Sequence, residues 1–332
     1  MGKESTTNKI SVGGQALIEG VMMNGPDGVA LSVRHTDGNI ITEEFTAKHI
    51  KDKCKIFGFP FIRGIVNFIE SMLIGYKSLM RSAELSGQLD AEEDEEKMSK
   101  LDKWLSAHLS PKVVTAITGV LSVCVAAVCF LLFFYAPTYL VDIVDSKLLG
   151  GAIADFHPFC EGIIKMVIIV LYMIAVSQMN DIKRVFMYHG AEHKSIFCFE
   201  KGLPLTVENV RTCKRFHPRC GTSFIFIVLI TNVIISSVTV LIFPVLNSPD
   251  LRLIWTLVKI LGILPVVTGI SYELIRYAGK HDNLITKIFS APGLWMQRIT
   301  TKEPTDDMIE VAIASIKAVV PDVEKDSSEE NE

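Results

Sequence analysis

The chain has 332 residues, a net charge of −4 and a pI near 6.1; 49% of it is hydrophobic, 21% is charged, and its mean hydropathy is +0.36. That mixture is too apolar for an ordinary soluble domain and too charged for a bare membrane bundle, so it describes a membrane protein with a sizeable water-facing part. No overall basic field suggests a nucleic-acid partner, and 22 Gly, 13 Pro and 7 Cys exclude collagen-like, low-complexity and disulfide-scaffold classes.

Residues 1–50 read as a small cytoplasmic β-meander. Its runs lie within 10–46, and Asn24-Gly25-Pro26-Asp27-Gly28 and Asp37-Gly38-Asn39 mark the turns. Glu19 falls in an apolar strand-like run, where alternation puts it in water. The stretch 56–82 reads as an amphipathic helix. Between Phe57 and Arg81, the charges Arg63, Glu70, Lys77 and Arg81 fall close to one helical line, which suits a helix lying in the membrane plane. A span with a polar stripe facing the bundle is the alternative. Residues 83–111 form an acidic linker and a short helix, with six acids in the seven residues 90–96.

Residues 112–278 hold four stretches that meet the length of about 20 apolar residues needed to cross a bilayer. They run from Lys112 to Asp142, Gly162 to Asn180, Cys220 to Pro249 and Leu253 to Tyr272. Lys165 and Lys259, inside the second and fourth, are long enough to snorkel to the surface. The loop 181–221 carries eight basic residues. The loop between the first two spans carries Lys147 against Asp142, Asp145, Asp155 and Glu161. By the positive-inside rule both termini and the middle loop are cytoplasmic, in a cell (inner) membrane. Glu273 is expected to pair with Arg276 at i+3. Residues 279–320 read as cytoplasmic helices, including one over 304–320 with Thr305 as N-cap. Residues 321–332 form a disordered acidic tail. The expected fold is mainly α, a multi-pass membrane helix bundle with a small β-meander.

Chemistry concentrates in one loop. Residues 189–220 hold six of the fifteen His and Cys residues, where an even spread would give one or two. Within it, His189-Gly190-Ala191-Glu192-His193 has the form H-x-x-E-H. On a helix all three functional side chains point to one side, so two imidazoles can chelate one ion and Glu192 can reach a bound water as general base. His217 and Cys220, in the turn HPRCG, are the nearest further ligands; Glu200 and Glu208 are weaker ones. With all four of His189, His193, His217 and Cys220 bound, the site is closed and structural. With three, a position stays open for catalysis. A divalent metal, with zinc the leading candidate, fits either case. The competing account has these histidines bonded to carboxylates or headgroups, with no metal. No P-loop, dinucleotide fingerprint or nucleophile elbow appears.

GGQALIEGVMMNGP (13–26), YHGAEHK (188–194), PLTVENV (204–210), HPRCGTSF (217–224) and PGLWMQRITTKEP (292–304) together resemble the YqhQ-like family of bacterial multi-pass membrane proteins. That family is of unknown function and often labelled a predicted metal-dependent enzyme. The resemblance implies that His189, Glu192, His193, His217, Cys220, Glu19 and Arg63 stand at its characteristic positions. Where the family pattern has Arg after GVMM, this chain has Asn24. The expected function is thus an integral membrane protein with a cytoplasmic-side metal site. A metal-dependent hydrolase is one form of it; a non-enzymatic scaffold or transport protein with a structural metal is the other. The bilayer is the one partner implied.

Overall fold

The structure, a computed structural model, describes residues 12–45, 59, 62–87, 111–153, 156–218, 220–278, 281 and 283–320. The acidic run 90–96, the short helix expected after it and the tail 321–332 lie outside the described residues. The chain forms two compact units: residues 1–88, 172–228 and 268–332 make the first, residues 89–171 and 229–267 the second.

The first unit is built on a four-stranded antiparallel sheet in sequential order. Its strands are β1 (Gly13–Leu17), β2 (Gly20–Gly25), β3 (Gly28–Arg34) and β4 (Ile40–Phe45). Gly25 pairs with Gly28 around Pro26-Asp27, and Arg34 with Ile40 around Asp37-Gly38, so both expected turns form. A third hairpin joins Leu17 to Gly20 around two turn residues, and Glu19 there adopts a positive φ of 50°. Glu19 therefore sits in a turn rather than in a strand. A non-glycine residue in this left-handed region is strained and persists only where its surroundings hold it.

Both faces of the sheet are covered. Helix α1 (Ile62–Leu85) lies on one face, where Ile74 and Leu85 pack on the buried Leu17, Met22, Val29, Leu31 and Val33. The opposite face shares a core with the helix Asn180–Glu200 and the C-terminal helix Asp306–Val319 through Val21, Met23, Ala30, Tyr188, Met308 and Ile316. Each such side chain, fully buried, contributes about 1.5–3 kcal/mol. Two covered faces explain why β2 and β3 read as continuous apolar runs instead of an in–out alternation. Ser315 ties the C-terminal helix to the sheet by donating to the carbonyls of Val21 and Ala30, 3.1 Å each.

Among the described residues, four helices are long and apolar enough to cross a membrane, over Gly119–Leu149, His157–Val176, Gly221–Ile242 and Ile254–Ala278. They belong to α2 (Pro111–Val144), α3 (His157–Val176), α6 (Gly221–Ile242) and the pair α7 (Arg252–Leu257) and α8 (Leu264–Ala278). A π-helical stretch, Val258–Ile263, joins the last two into one continuous helix. The remaining helices are α4 (Asn180–Glu200), α5 (Val207–Thr212), α9 (Leu284–Thr300) and α10 (Asp306–Val319). Asn283 caps α9 in a reciprocal capping box with Thr286. Thr305 is the N-cap of α10, as expected, but its hydroxyl makes no cap bond.

Three polar expectations are corrected. Glu273 pairs with Arg63, not with Arg276: Arg63 donates Nε and Nη2 to the two carboxylate oxygens at 2.7 and 2.6 Å. Lys259 and Lys165 do not snorkel. In the second unit both turn to the buried Glu161, at 3.2 Å and 2.5 Å, because a carboxylate held out of water draws the nearest cations. Glu19 is not solvated; it accepts both Nε and Nη2 of Arg184, with Nε at 2.6 Å, and the Tyr188 hydroxyl at 3.2 Å.

Candidate metal centre

Helix α4 carries the H-x-x-E-H motif on its buried face, where Tyr188 through Ile196 are all inaccessible. Gly190 does not break the helix because a glycine is required there. The segment after α9 crosses α4 at this point, Lys302 N–H donates to the Phe186 carbonyl at 2.8 Å, and a Cβ at 190 would collide with the Lys302 carbonyl. Strand β1 approaches equally closely. A Cβ on Gly14 would stand 2.8 Å from Glu192 Cγ, so this glycine lets the β1 backbone lie against the motif's carboxylate.

Three candidate ligands converge. One ligand atom each from His189, His193 and Cys220 lies within 4.8 Å of the others, and all three residues are buried. His189 Nε2 is 3.1 Å from Cys220 Sγ, and the two imidazole centroids are 4.4 Å apart. Each ring is turned by a backbone carbonyl. His189 Nδ1 faces the Thr300 carbonyl at 2.8 Å, and His193 Nδ1 faces that of Arg215. A carbonyl accepts only, so Nδ1 carries the proton in both rings and Nε2 presents its lone pair to the cluster. This is the outer-sphere arrangement of histidine ligands. A tetrahedral ion with bonds of about 2.0–2.3 Å holds its ligands roughly 3.5 Å apart, so modest side-chain movement closes this group on a metal. The His-His-Cys cluster can hold a metal ion.

Two buried atoms lack a hydrogen-bond partner here, His193 Nε2 and Glu192 Oε2. Burial pushes the Glu192 carboxyl pKa up, against the pull of His189 and His217. Burial, then His189, pushes that of His193 down.

His217 stands beside the cluster rather than in it. Its ring is 5.8 Å from that of His193, and its Nε2 is 3.4 Å from Glu200 Oε2. Burial lowers its pKa to about 4, so it is neutral at physiological pH. Glu200 thus reaches His217, not the three-residue group, and Glu208 is in no metal-type cluster among the described residues.

Sequence reasoning missed the groups that hold the turn before α6. Gln297 of α9 accepts the His217 N–H at 2.7 Å and donates to the His217 carbonyl at 2.7 Å and to Ser223 Oγ at 3.0 Å. It is completely buried. The signal available was a glutamine on the polar side of an amphipathic helix, one face away from Trp295. Lys194, the last residue of the HGAEHK run, is also buried, bonded to the Arg211 carbonyl at 3.0 Å and to Glu303 at 2.7 Å.

No solved structure matches the chain at a significant level. Residues 59–322 match the family model described as "Protein of unknown function (DUF1385)". The "Uncharacterized protein YqhQ" of Bacillus subtilis (strain 168) is 37% identical over 311 residues, covering 93% of this chain and 92% of that protein. The chain therefore belongs to the DUF1385 family, the YqhQ-like membrane proteins of unknown function.

Proposed function

We propose that this membrane protein is a metal-dependent hydrolase of the cytoplasmic membrane, in which His189, His193 and Cys220 hold a zinc-like divalent ion and Glu192 is the general base. The observation that carries this reading is the pair of buried, unpartnered atoms, His193 Nε2 and Glu192 Oε2, beside the converging His189 and Cys220. Leaving such groups without partners costs about 1–3 kcal/mol each, and a cation with its attendant water answers both. A mixed imidazole and thiol set suits zinc. When bound, the ion supplies Lewis acidity, polarising a substrate carbonyl or phosphoryl oxygen and acidifying water. Glu192 takes the proton of the attacking water on Oε2 and returns it to the leaving group. His189 and His193, fixed by the Thr300 and Arg215 carbonyls, keep the ligand geometry through the cycle. The basic loop 181–221 supports a cytoplasmic site and cytoplasmic termini; the substrate is then lipid-linked or a peptide emerging from the bilayer.

Metal analysis of protein never exposed to chelator tests the first half. One transition metal per chain is expected, lost in His189→Ala and His193→Ala, and a metal-free wild type refutes the reading. Glu192→Gln tests the second half: metal content and expression should persist while in-cell function disappears. Full complementation by that variant favours the second reading, a scaffold or transport protein with a structural site closed by His217. The observation behind that reading is the His217 ring 5.8 Å from His193. Reporter fusions at residues 85, 205 and 300 should read as cytoplasmic, and one at 152 should not.

A further inference from the structure

We infer that α9 and α1 lie in the plane of the membrane, with their exposed apolar stripes sunk into the leaflet in which α6 begins and α8 ends. The partner of this surface is the lipid bilayer itself. The inference does not depend on the metal reading.

The two faces of α9 differ completely. Leu284, Ile288, Ala291 and Trp295 follow one another at spacings of four, three and four residues, which places them in one narrow sector of the helix. Leu284, Ile288 and Trp295 are 74%, 61% and 49% exposed. The opposite sector, Thr286, Ser290, Gly293, Gln297 and Thr300, is buried within the first unit. Lys287 and Arg298 flank the apolar stripe, and both are exposed. Apolar stripe, basic flank and a tryptophan are the marks of an interfacial helix. At 17 residues, α9 is too short to span and too exposed to be core.

Helix α1 repeats the pattern. Ile69, Met72, Leu73, Tyr76 and Met80 form a continuous exposed stripe, while Gly75 and Ser78 on the other side meet Gln15 and Met22 of the sheet. The charged line read from the sequence runs along the flank of this stripe. Arg63 and Arg81 there turn away to Glu273 and Glu43, and Glu70 is buried.

Position identifies the occupant. The Phe68 ring of α1 is 5.4 Å from that of Phe224, in the first turn of α6. Gly64 packs on Gly269 and Tyr272 in α8, and Gly293 of α9 packs on Ser223. Both helices thus touch the spans near the ends Gly221 and Ala278, where a spanning helix leaves the hydrocarbon. A stripe held at that level meets lipid, because lipid already surrounds the spans. Helix α9 then carries lipid on one side and Gln297 and Thr300 of the candidate centre on the other, a separation of about one helix diameter, roughly 10 Å.

The test uses the full chain in lipid vesicles with Trp104→Phe and Trp255→Phe, leaving Trp295 as sole emitter. Acyl chains brominated close to the glycerol should remove most of its emission, chains brominated near the bilayer centre should remove less, and aqueous acrylamide should have little effect. Strong acrylamide quenching without bromolipid quenching overturns the inference. Quenching by neither also overturns it and assigns the stripe to a protein partner, a second copy included. Should the tryptophan variant fail to fold, wild-type protein is irradiated in vesicles containing an acyl-diazirine lipid. Adducts are expected within 69–80 and 284–295; adducts confined to the four spans refute the placement.

Discussion

Replacing Gly14 by alanine sets a methyl group where β1 meets the motif helix. The added Cβ would stand 2.8 Å from both Glu192 Cγ and the Met22 carbonyl oxygen. Ordinary carbon contacts begin near 3.5 Å, so strand and carboxylate must part by roughly 0.7 Å. Neither yields easily, since Met22 O belongs to the β2 backbone and Glu192 is buried. Overpacking of this kind costs about 1–3 kcal/mol. The neighbouring Gly13 is the internal control, because a Cβ there has no atom within 4 Å. Its alanine variant should be neutral or up to about 1 kcal/mol more stable, through the lost freedom of the unfolded chain. Thermal unfolding of both variants in detergent, with metal content measured on the same samples, makes the comparison. Gly14→Ala should melt clearly below wild type and displace Glu192, while the ligands His189, His193 and Cys220 keep their metal. Equal melting of the two variants would show that the close approach of β1 to Glu192 does not exist, and the role given to Gly14 would fall.

Gln297→Ala removes three buried hydrogen bonds at the turn before α6 and leaves the His217 N–H and carbonyl unanswered; a loss of about 2–4 kcal/mol is expected, with weakened metal retention by Cys220, read by unfolding and metal titration. A double-mutant cycle of Arg63→Ala and Glu273→Ala should give a coupling near 1 kcal/mol, since the pair is bidentate and both side chains are under one-third exposed; zero coupling would remove α1 from its place against α8. Burial lifts the Cys198 thiol from 9.0 to about 11, with Cys213 adding to the shift. Its folded pKa exceeds its unfolded one, so the thiol's contribution is intact below pH 9 and fades as pH rises towards 11. Cys198→Ala should therefore flatten the alkaline limb of the stability profile, and an unchanged limb would contradict the burial.

What the sequence made legible was local. Four spans follow from uninterrupted apolar length, and the shared face of His189, Glu192 and His193 follows from helical period. The H-x-x-E-H run also sits where a local excess of His and Cys had pointed. What stayed hidden depends on segments far apart in the chain. Glu19 looked solvated because its partner Arg184 is 165 residues away. Lys259 looked like a snorkelling cation because Glu161 lies 98 residues earlier. Glu273 had a plausible local partner in Arg276, but the bidentate geometry offered by Arg63 prevailed. Gly14 and Gly190 carry no local signal of their role; both are contact points where another backbone or side chain needs the room. Gln297 and the Thr300 carbonyl lie 80 and 111 residues from the histidines they orient, and no spacing rule reaches that far.

The way α4 is held bears directly on the chemistry proposed for it. At its first turns Arg184 clamps the strained Glu19 hairpin, and at Gly190 the segment 301–304 crosses it. Further on, the Thr300 and Arg215 carbonyls set the tautomers of both histidines. These restraints come from the sheet, from α9 and from the loop before α6. A core that includes Tyr188, Ala191, Ile196, Met308 and Ile316 supports them. The side chains of His189 and His193 are thus held from several directions, and the unpartnered Glu192 and His193 atoms beside them are what the proposed ion and its water would answer. Zinc fingers work the other way, since their fold depends on the metal. Under the proposed function, an ion would meet ligands already held by these contacts, so its binding free energy would go into affinity and charge stabilisation at Glu192 rather than into building the fold.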